Sequence, residues 1–159
     1  MTSKPEIRLV DVAPVEVLGT EKTGTYALIP QLLMEVLNYL LAHNIPLAGP
    51  PVFNCHELSV EEVKAAGASG TARVEICWPV SGPAEGSGNI RRYNLPGGRM
   101  VHAVHRGPYE TCEPTYLAVF SWMKEQGLSV RGPIREIYPN DPMEVPPEEI
   151  LTEIFIPVA

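Results

Sequence analysis

The chain carries one stretch of sequence twice, which restricts it to folds with an internal pseudo-twofold. Gly24-Thr25-Tyr26, at the head of a helical pattern, returns 83 residues later as Gly107-Pro108-Tyr109. Under that offset the apolar stripe Leu33, Val36, Leu37 and Leu40 falls on Tyr116, Val119, Phe120 and Met123, and Gly49-Pro50 falls on Gly132-Pro133. Asn44, at the end of the first stripe, falls on Gly127; both residue types tolerate a left-handed backbone and end helices. A second offset of 78 superimposes Glu75-Ile76-Cys77-Trp78-Pro79-Val80 on Glu153-Ile154-Phe155-Ile156-Pro157-Val158, so the five-residue difference lies in loops. An open solenoid needs roughly three or more repeats to bury a continuous core, so two copies are expected to close on each other around a seam. Such seams favour ligands.

With 159 residues and 45% apolar content, the chain suits one domain, 1–159, that buries about 70% of its unfolded surface. A net charge of −7 and the lack of any long Lys/Arg run exclude a direct nucleic-acid surface and favour neutral or cationic partners. Met1-Thr2-Ser3-Lys4-Pro5 has no apolar signal core, and no apolar run approaches the ~18 residues of a membrane span, so a cytoplasmic protein with no membrane partner is expected. Cys55, Cys77 and Cys112 are odd in number and lack Cys-x-x-Cys spacing, which argues against disulfides and a tetrahedral zinc site. They read as small buried thiols.

Each copy, about 6–80 and about 98–159, reads as strand, helix, strand, strand. The first has a β-branched strand from Ile7 to Gly19, bent near Pro14, then a helix with Pro30 in its first turn that ends at Asn44. Strands Val52 to Glu57 and Thr71 to Trp78 follow, separated by a short helix whose start, Ser59-Val60-Glu61-Glu62, has the form of a capping box. The segment of about 81–97 reads as a linker with a polar, Gly-rich loop. The second copy runs through strand Arg99 to His105, a helix over 110–126, strand Ile134 to Tyr138, a Pro-rich turn over 139–147 and a last strand Ile150 to Val158. The expected architecture is α+β: antiparallel sheet in pseudo-twofold halves, two long helices on one face and a ligand groove on the other.

Strand alternation then nominates the groove. Ile154 and Ile156 should face the helices, which turns Glu153 and Phe155 the other way. If the last two strands pair as a hairpin, Glu136, Tyr138, Glu153 and Phe155 converge, with Tyr109, Tyr116 and Trp122 as further walls. Carboxylates among aromatic walls suit a planar, lipophilic cation through stacking, cation–π attraction and neutralisation. From pattern alone the plainer reading is the stronger one: two glutamates on a solvated sheet face, with the aromatics in the core.

Gly107-Pro108-Tyr109 with the helix after it, the segment Gly132-Pro133-Ile134-Arg135-Glu136-Ile137-Tyr138-Pro139-Asn140-Asp141-Pro142, and the segment from Glu148 to Val158 together resemble the gyrase-inhibitor-like (GyrI-like) effector-binding family. The duplicated plan covers nearly the whole chain. The resemblance implies a groove for hydrophobic, often cationic compounds, with Glu136 as its central glutamate, Tyr138 beside it, and Glu153 and Phe155 on the last strand. It connects the chain to the effector domains of AraC-type and MerR-type multidrug regulators. No DNA-binding helices precede Ile7, so a stand-alone binder is expected. Phe53 stands where the second copy has Glu136, and Cys55 where it has Tyr138, so the halves are unequal; Phe53 joins the ligand-contact candidates.

Two other readings follow from the same resemblance. Some members open strained cyclopropane rings of DNA-alkylating compounds, a detoxification in which Glu136 or Glu153 deprotonates a water. A protein–protein regulator is the other, with DNA gyrase or a separate DNA-binding regulator as partner. No cofactor is expected; haem, bound by the related SOUL proteins, is a weaker option because a shared fold is a poor guide to ligand. No metal is expected either. His102 and His105, three apart on a strand, point to opposite faces, and no Asp or Glu spacing completes a site at Cys55-His56.

Overall fold

A computed structural model describes residues 5–158. Pro14 makes the first division of the chain. Instead of one bent strand there are two, β1 (Ile7–Val12) and β2 (Val15–Gly24), because proline has no N–H to continue a ladder. β1 crosses to pair with β6 (Gly98–Arg106), whereas β2 pairs with β4 (Ala72–Pro79) and β5 (Arg91–Leu95). β5 lies in the segment read as linker and repeats the exchange: the strand ahead of each module joins the other module's edge. With β3 (Val52–Cys55), β7 (Ile134–Ile137) and β8 (Leu151–Pro157), the strands form one antiparallel sheet in the order β1-β6-β8-β7-β3-β4-β2-β5. This is the expected α+β duplication, and its axis lies between β7 and β3.

Among the described residues three helices lie on one face. Helix α1 (Leu28–Ala42) buries Leu32, Val36 and Leu40, four residues apart and so on one stripe, against β2 and β4. Full burial of each such side chain contributes about 1.5–3 kcal/mol. Its repeat mate α3 (Cys112–Glu125) buries Val119 and Met123 and packs on β6, after a 3₁₀ turn at Tyr109–Thr111. The matched stop residues behave alike, with φ of 54° at Asn44 and 70° at Gly127. Helix α2 (Val60–Ser69) starts at the expected cap: Ser59 Oγ accepts from Glu62 N at 3.1 Å, and Glu62 Oε2 accepts from Leu58 N at 2.7 Å. In the second module a 3₁₀ turn, Pro147–Glu149, stands in its place. Among the described residues no helix is long and apolar enough to cross a membrane.

Candidate ligand-binding site

α1 and α3 each pack mainly on their own half of the sheet, which leaves space over the central strands β3 and β7. Over these strands lies a cavity of about 340 Å³. Its floor is Phe53, Cys55, Ile134 and Glu136; α3 contributes Cys112, Tyr116 and Phe120, at successive four-residue steps of one stripe. The opposite wall is Tyr26 and Ile29 at the start of α1 with Val60, Val63 and Lys64 of α2. Lys64 Nζ is 2.6 Å from Glu113 Oε1, an ion pair that joins α2 to α3 between two residues lining the cavity.

Glu136 is the chemical centre of this cavity. Tyr116 donates a hydrogen bond to its Oε2, and Tyr138 donates to Oε1 at 3.0 Å. No Lys, Arg or His among the described residues forms an ion pair with it. Desolvation by the surrounding protein pushes its carboxyl above the usual range, although the two phenol donors pull the other way. The same charge, added to burial, pushes Cys55 and Cys112 each up to about 12, so both are neutral thiols. Tyr109 packs edge-on against Tyr138, with ring centroids 5.4 Å apart, and thereby backs the donor that holds Glu136.

The structure therefore brings together Glu136, Tyr138, Tyr116, Tyr109 and Phe53. It separates Glu153 and Phe155 from them. In the β7–β8 register Glu136 is opposite Ile154, so Glu136 shares the helix-bearing face with Ile154, while Glu153 and Phe155 project from the other face. A one-residue difference in assumed register is enough to reverse every side chain. On that other face Glu153 Oε1 is 3.1 Å from His102 Nε2, and Phe155 packs on the His102 ring. Trp122 packs against the core and does not line the cavity, because it sits two residues beyond Phe120, about 200° around α3.

The expected groove on the open face gives way, for Glu136, to a cavity on the helix-bearing face; the open face has a pocket of its own, built from different residues. Tyr26, Ile29 and Cys112 are cavity residues that the site reading missed. For Tyr26 the repeat held the signal, since it is the repeat mate of the candidate Tyr109.

His102 and His105 do sit on opposite faces, His105 Nδ1 meeting Thr115 Oγ1 at 2.7 Å beneath α3. At His56 the sequence reading needs correction, because pairing of β2, β3 and β4 brings two carboxylates that no local spacing reveals. Ligand atoms of Glu21, His56 and Glu75 lie within 4.8 Å of one another. Both carboxylates have protein partners: Arg73 pairs with Glu21, and His56 Nε2 is 2.7 Å from Glu75 Oε1.

Several solved structures of low sequence identity share this fold. The C-terminal domain of EcmrR superposes with a TM-score of 0.85 at 19% identity, covering 98% of each chain. In the EcmrR–DNA complex the TM-score is 0.83 at 19% identity over 97% of this chain, which spans only 57% of that EcmrR chain. A hydrolase encoded by lin2189 from Listeria innocua matches at 0.66 and 15% identity, over 98% of this chain and 93% of that one. SAV2435, solved bound to tetraphenylphosphonium, matches at 0.60 and 14% identity, over 97% and 94%. A sequence comparison with curated proteins returns no match. Residues 5–159 match the model of the GyrI-like small molecule binding domain, and the chain belongs to that family.

Proposed function

We propose that the cavity over β3 and β7 binds hydrophobic, planar cations, and that the protein acts in the cytoplasm as a sensor, a sequestering agent or a detoxifying binder of several such compounds. The observation that carries this reading is Glu136, a carboxylate at the floor of an otherwise mainly apolar cavity, held by two phenols and, among the described residues, in no ion pair with a base. A desolvated carboxylate of this kind is costly until a cation neutralises it. Glu57, Glu110 and Glu113 add negative charge to the lining, against Lys64 alone among the described residues. Tetraphenylphosphonium on SAV2435, a lipophilic cation on the same fold, supports the reading. A separate DNA-binding regulator is the partner a sensor of this type would act on; EcmrR, which shares the fold over 57% of its chain, is solved in complex with DNA.

A thermal-shift comparison of wild type and Glu136→Gln with an N-methylacridinium salt and the neutral acridone of similar shape tests it. At a hundredfold excess over Kd, ligand adds about 2.7 kcal/mol, which raises the midpoint by about 5 to 10 °C in a chain of this size. The cation should shift wild type and not the variant. Equal shifts by both compounds in both proteins would remove the charge argument.

Hydrolysis of cyclopropane-bearing genotoxic compounds is the second reading. The raised carboxyl of Glu136, within reach of two tyrosines, favours it, and the Listeria innocua hydrolase shares the fold. Glu136 alone would then take a proton from water as the water oxygen adds to a ring carbon and that carbon's strained C–C bond breaks, since Glu153 projects from the other face. The electron pair of the broken bond passes to the departing carbon and the group conjugated with it, which takes up the proton that Glu136 returns. Mass spectrometry of such compounds incubated with wild type and Glu136→Gln decides it: a product gain of one water that requires Glu136 supports the reading, and unchanged starting material overturns it for those substrates.

A further inference from the structure

The open face of the sheet carries a second cavity, of about 400 Å³, whose lining is unlike the first. Arg73, Arg91, Arg92 and Arg135 line it together with Glu21 and Glu75, an excess of positive charge on a chain whose net charge is −7. Two of these arginines are neutralised, Arg73 by Glu21 and Arg92 by Glu16. The oxygens of Glu75 are engaged as well: Asn54 Nδ2 and Tyr93 Oη donate to Oε2 at 2.9 and 2.8 Å, and His56 meets Oε1. Burial opposes ionisation of Glu75, but the bonds from His56 and Tyr93 outweigh it and hold the carboxyl below the usual range.

Arg135 is the exception. Its residue is 5% exposed, yet among the described residues no carboxylate oxygen lies within ion-pair distance of its guanidinium. Its side-chain hydrogen bond is one from Nη2 to the carbonyl of Pro96. A guanidinium has five donors in a fixed fork, and burying its charge without a counter-ion is costly. Divergence of the repeat points the same way. Arg135 is paired with Asn54 across β3–β7, and the equivalent positions of the two copies, Val52 and Ile137, form an ordinary apolar pair. Arg91, exposed on edge strand β5, has no ion-pair partner among the described residues and stands in the same lining.

We propose that this cavity is a second ligand site, for a small oxyanion, a carboxylate or phosphate group, held by the Arg135 fork with Arg91 at the rim. Planar guanidinium donors match the two oxygens of such a group in a bidentate pair. The proposal does not rest on any reading of the first cavity, because Arg135 and Glu136 are successive residues of one strand and project to opposite faces.

The test is a titration of ¹⁵N-labelled protein with inorganic phosphate and with benzoate, at constant ionic strength set by chloride, following the arginine Nε–Hε signals. Arg135→Lys, which keeps the charge and removes the fork, assigns the Arg135 signal. We expect a saturable shift at Arg135 for one or both anions, the stronger of the two naming the group the site prefers. Kd should rise by about tenfold or more in Arg135→Gln, a loss of the size one charge-assisted bond carries. It should rise several-fold in Arg91→Gln. If Arg135→Gln does not fold, Arg135→Lys replaces it, again with weaker binding expected. Absence of a saturable shift with either anion, or an unchanged Kd on loss of the fork, overturns the proposal and leaves Arg135 as a support for the Pro96 turn.

Discussion

Phe53 and Glu136 occupy the same position of the two repeats, and they lie directly opposite each other where β3 pairs with β7. The pseudo-twofold axis therefore passes between an aromatic ring and a carboxylate. Two glutamates there would set like charges face to face, and two phenylalanines would leave an apolar seam without charge. Divergence at this one pair gives the cavity floor both an apolar and an acidic part, while the other paired positions of the lining, Tyr26 with Tyr109 and Ile29 with Cys112, stay uncharged.

The raised carboxyl of Glu136 makes stability depend on pH in a defined direction. The folded state holds this proton more tightly than the unfolded state does. The group's stabilising contribution is thus complete below the unfolded value, near 4.5, and is lost as pH rises through the folded value. Denaturant unfolding of Glu136→Gln should lack that decline. Relative to wild type the variant should gain about 1.4 kcal/mol for each unit by which the folded pKa is raised, and parallel pH curves for the two proteins would contradict the assignment.

Tyr116→Phe and Tyr138→Phe each remove one donor to Glu136 and almost no apolar contact. Without a donor the charged carboxylate is less well held, so its pKa should rise further in each variant, and cation affinity at neutral pH should fall by about 1.5–3 kcal/mol per bond to charge. Carbon-13 NMR titration of the Glu136 carboxyl reads the first effect and calorimetry the second. A lowered pKa in either variant would show that the phenols do not stabilise the charge.

The Lys64–Glu113 pair joins α2 to α3 beside the cavity and is largely exposed. Breaking it with Lys64→Ala should change stability by no more than about 1 kcal/mol. Removing this lysine should nonetheless speed entry of a cation, several-fold at low salt and less at high salt, as long-range attraction is screened. Stopped-flow association rates at two ionic strengths measure this, and rates that match wild type at both would deny the pair any role at the entrance.

Gly19 is required by packing behind the sheet. A Cβ there would lie 2.6 Å from the Ile76 carbonyl and 2.7 Å from Cys77 Cβ, and closer still to the Tyr93 hydroxyl that holds Glu75. Gly19→Ala should cost about 1–3 kcal/mol of overpacking, a fall of roughly 2–12 °C in Tm for a chain of this length. An unchanged Tm would mean that β2 and β5 separate more freely than their pairing implies.

Local physical chemistry made much of the fold legible. Helix α1 and its mate α3 follow from apolar spacing, their ends from Asn44 and Gly127, and the start of α2 from the Ser59 cap, because each depends on residues within a few positions of one another. The duplication, and Glu136 with Tyr138, Tyr109, Tyr116 and Phe53 as one neighbourhood, were also readable, the first from self-similarity and the second with the help of a family resemblance. Tertiary structure decided what depends on pairing between distant strands. The division at Pro14 sends β1 and β2 to opposite modules, and the β7–β8 register puts Glu136 on the helix-bearing face and Glu153 with Phe155 on the other. Glu21, His56 and Glu75 meet, and Arg135 comes to face Asn54, by the same means. Alternation along a strand fixes only which residues share a face; which face it is, and what lies across from it, is set by register with another strand, and that is absent from any local stretch of sequence.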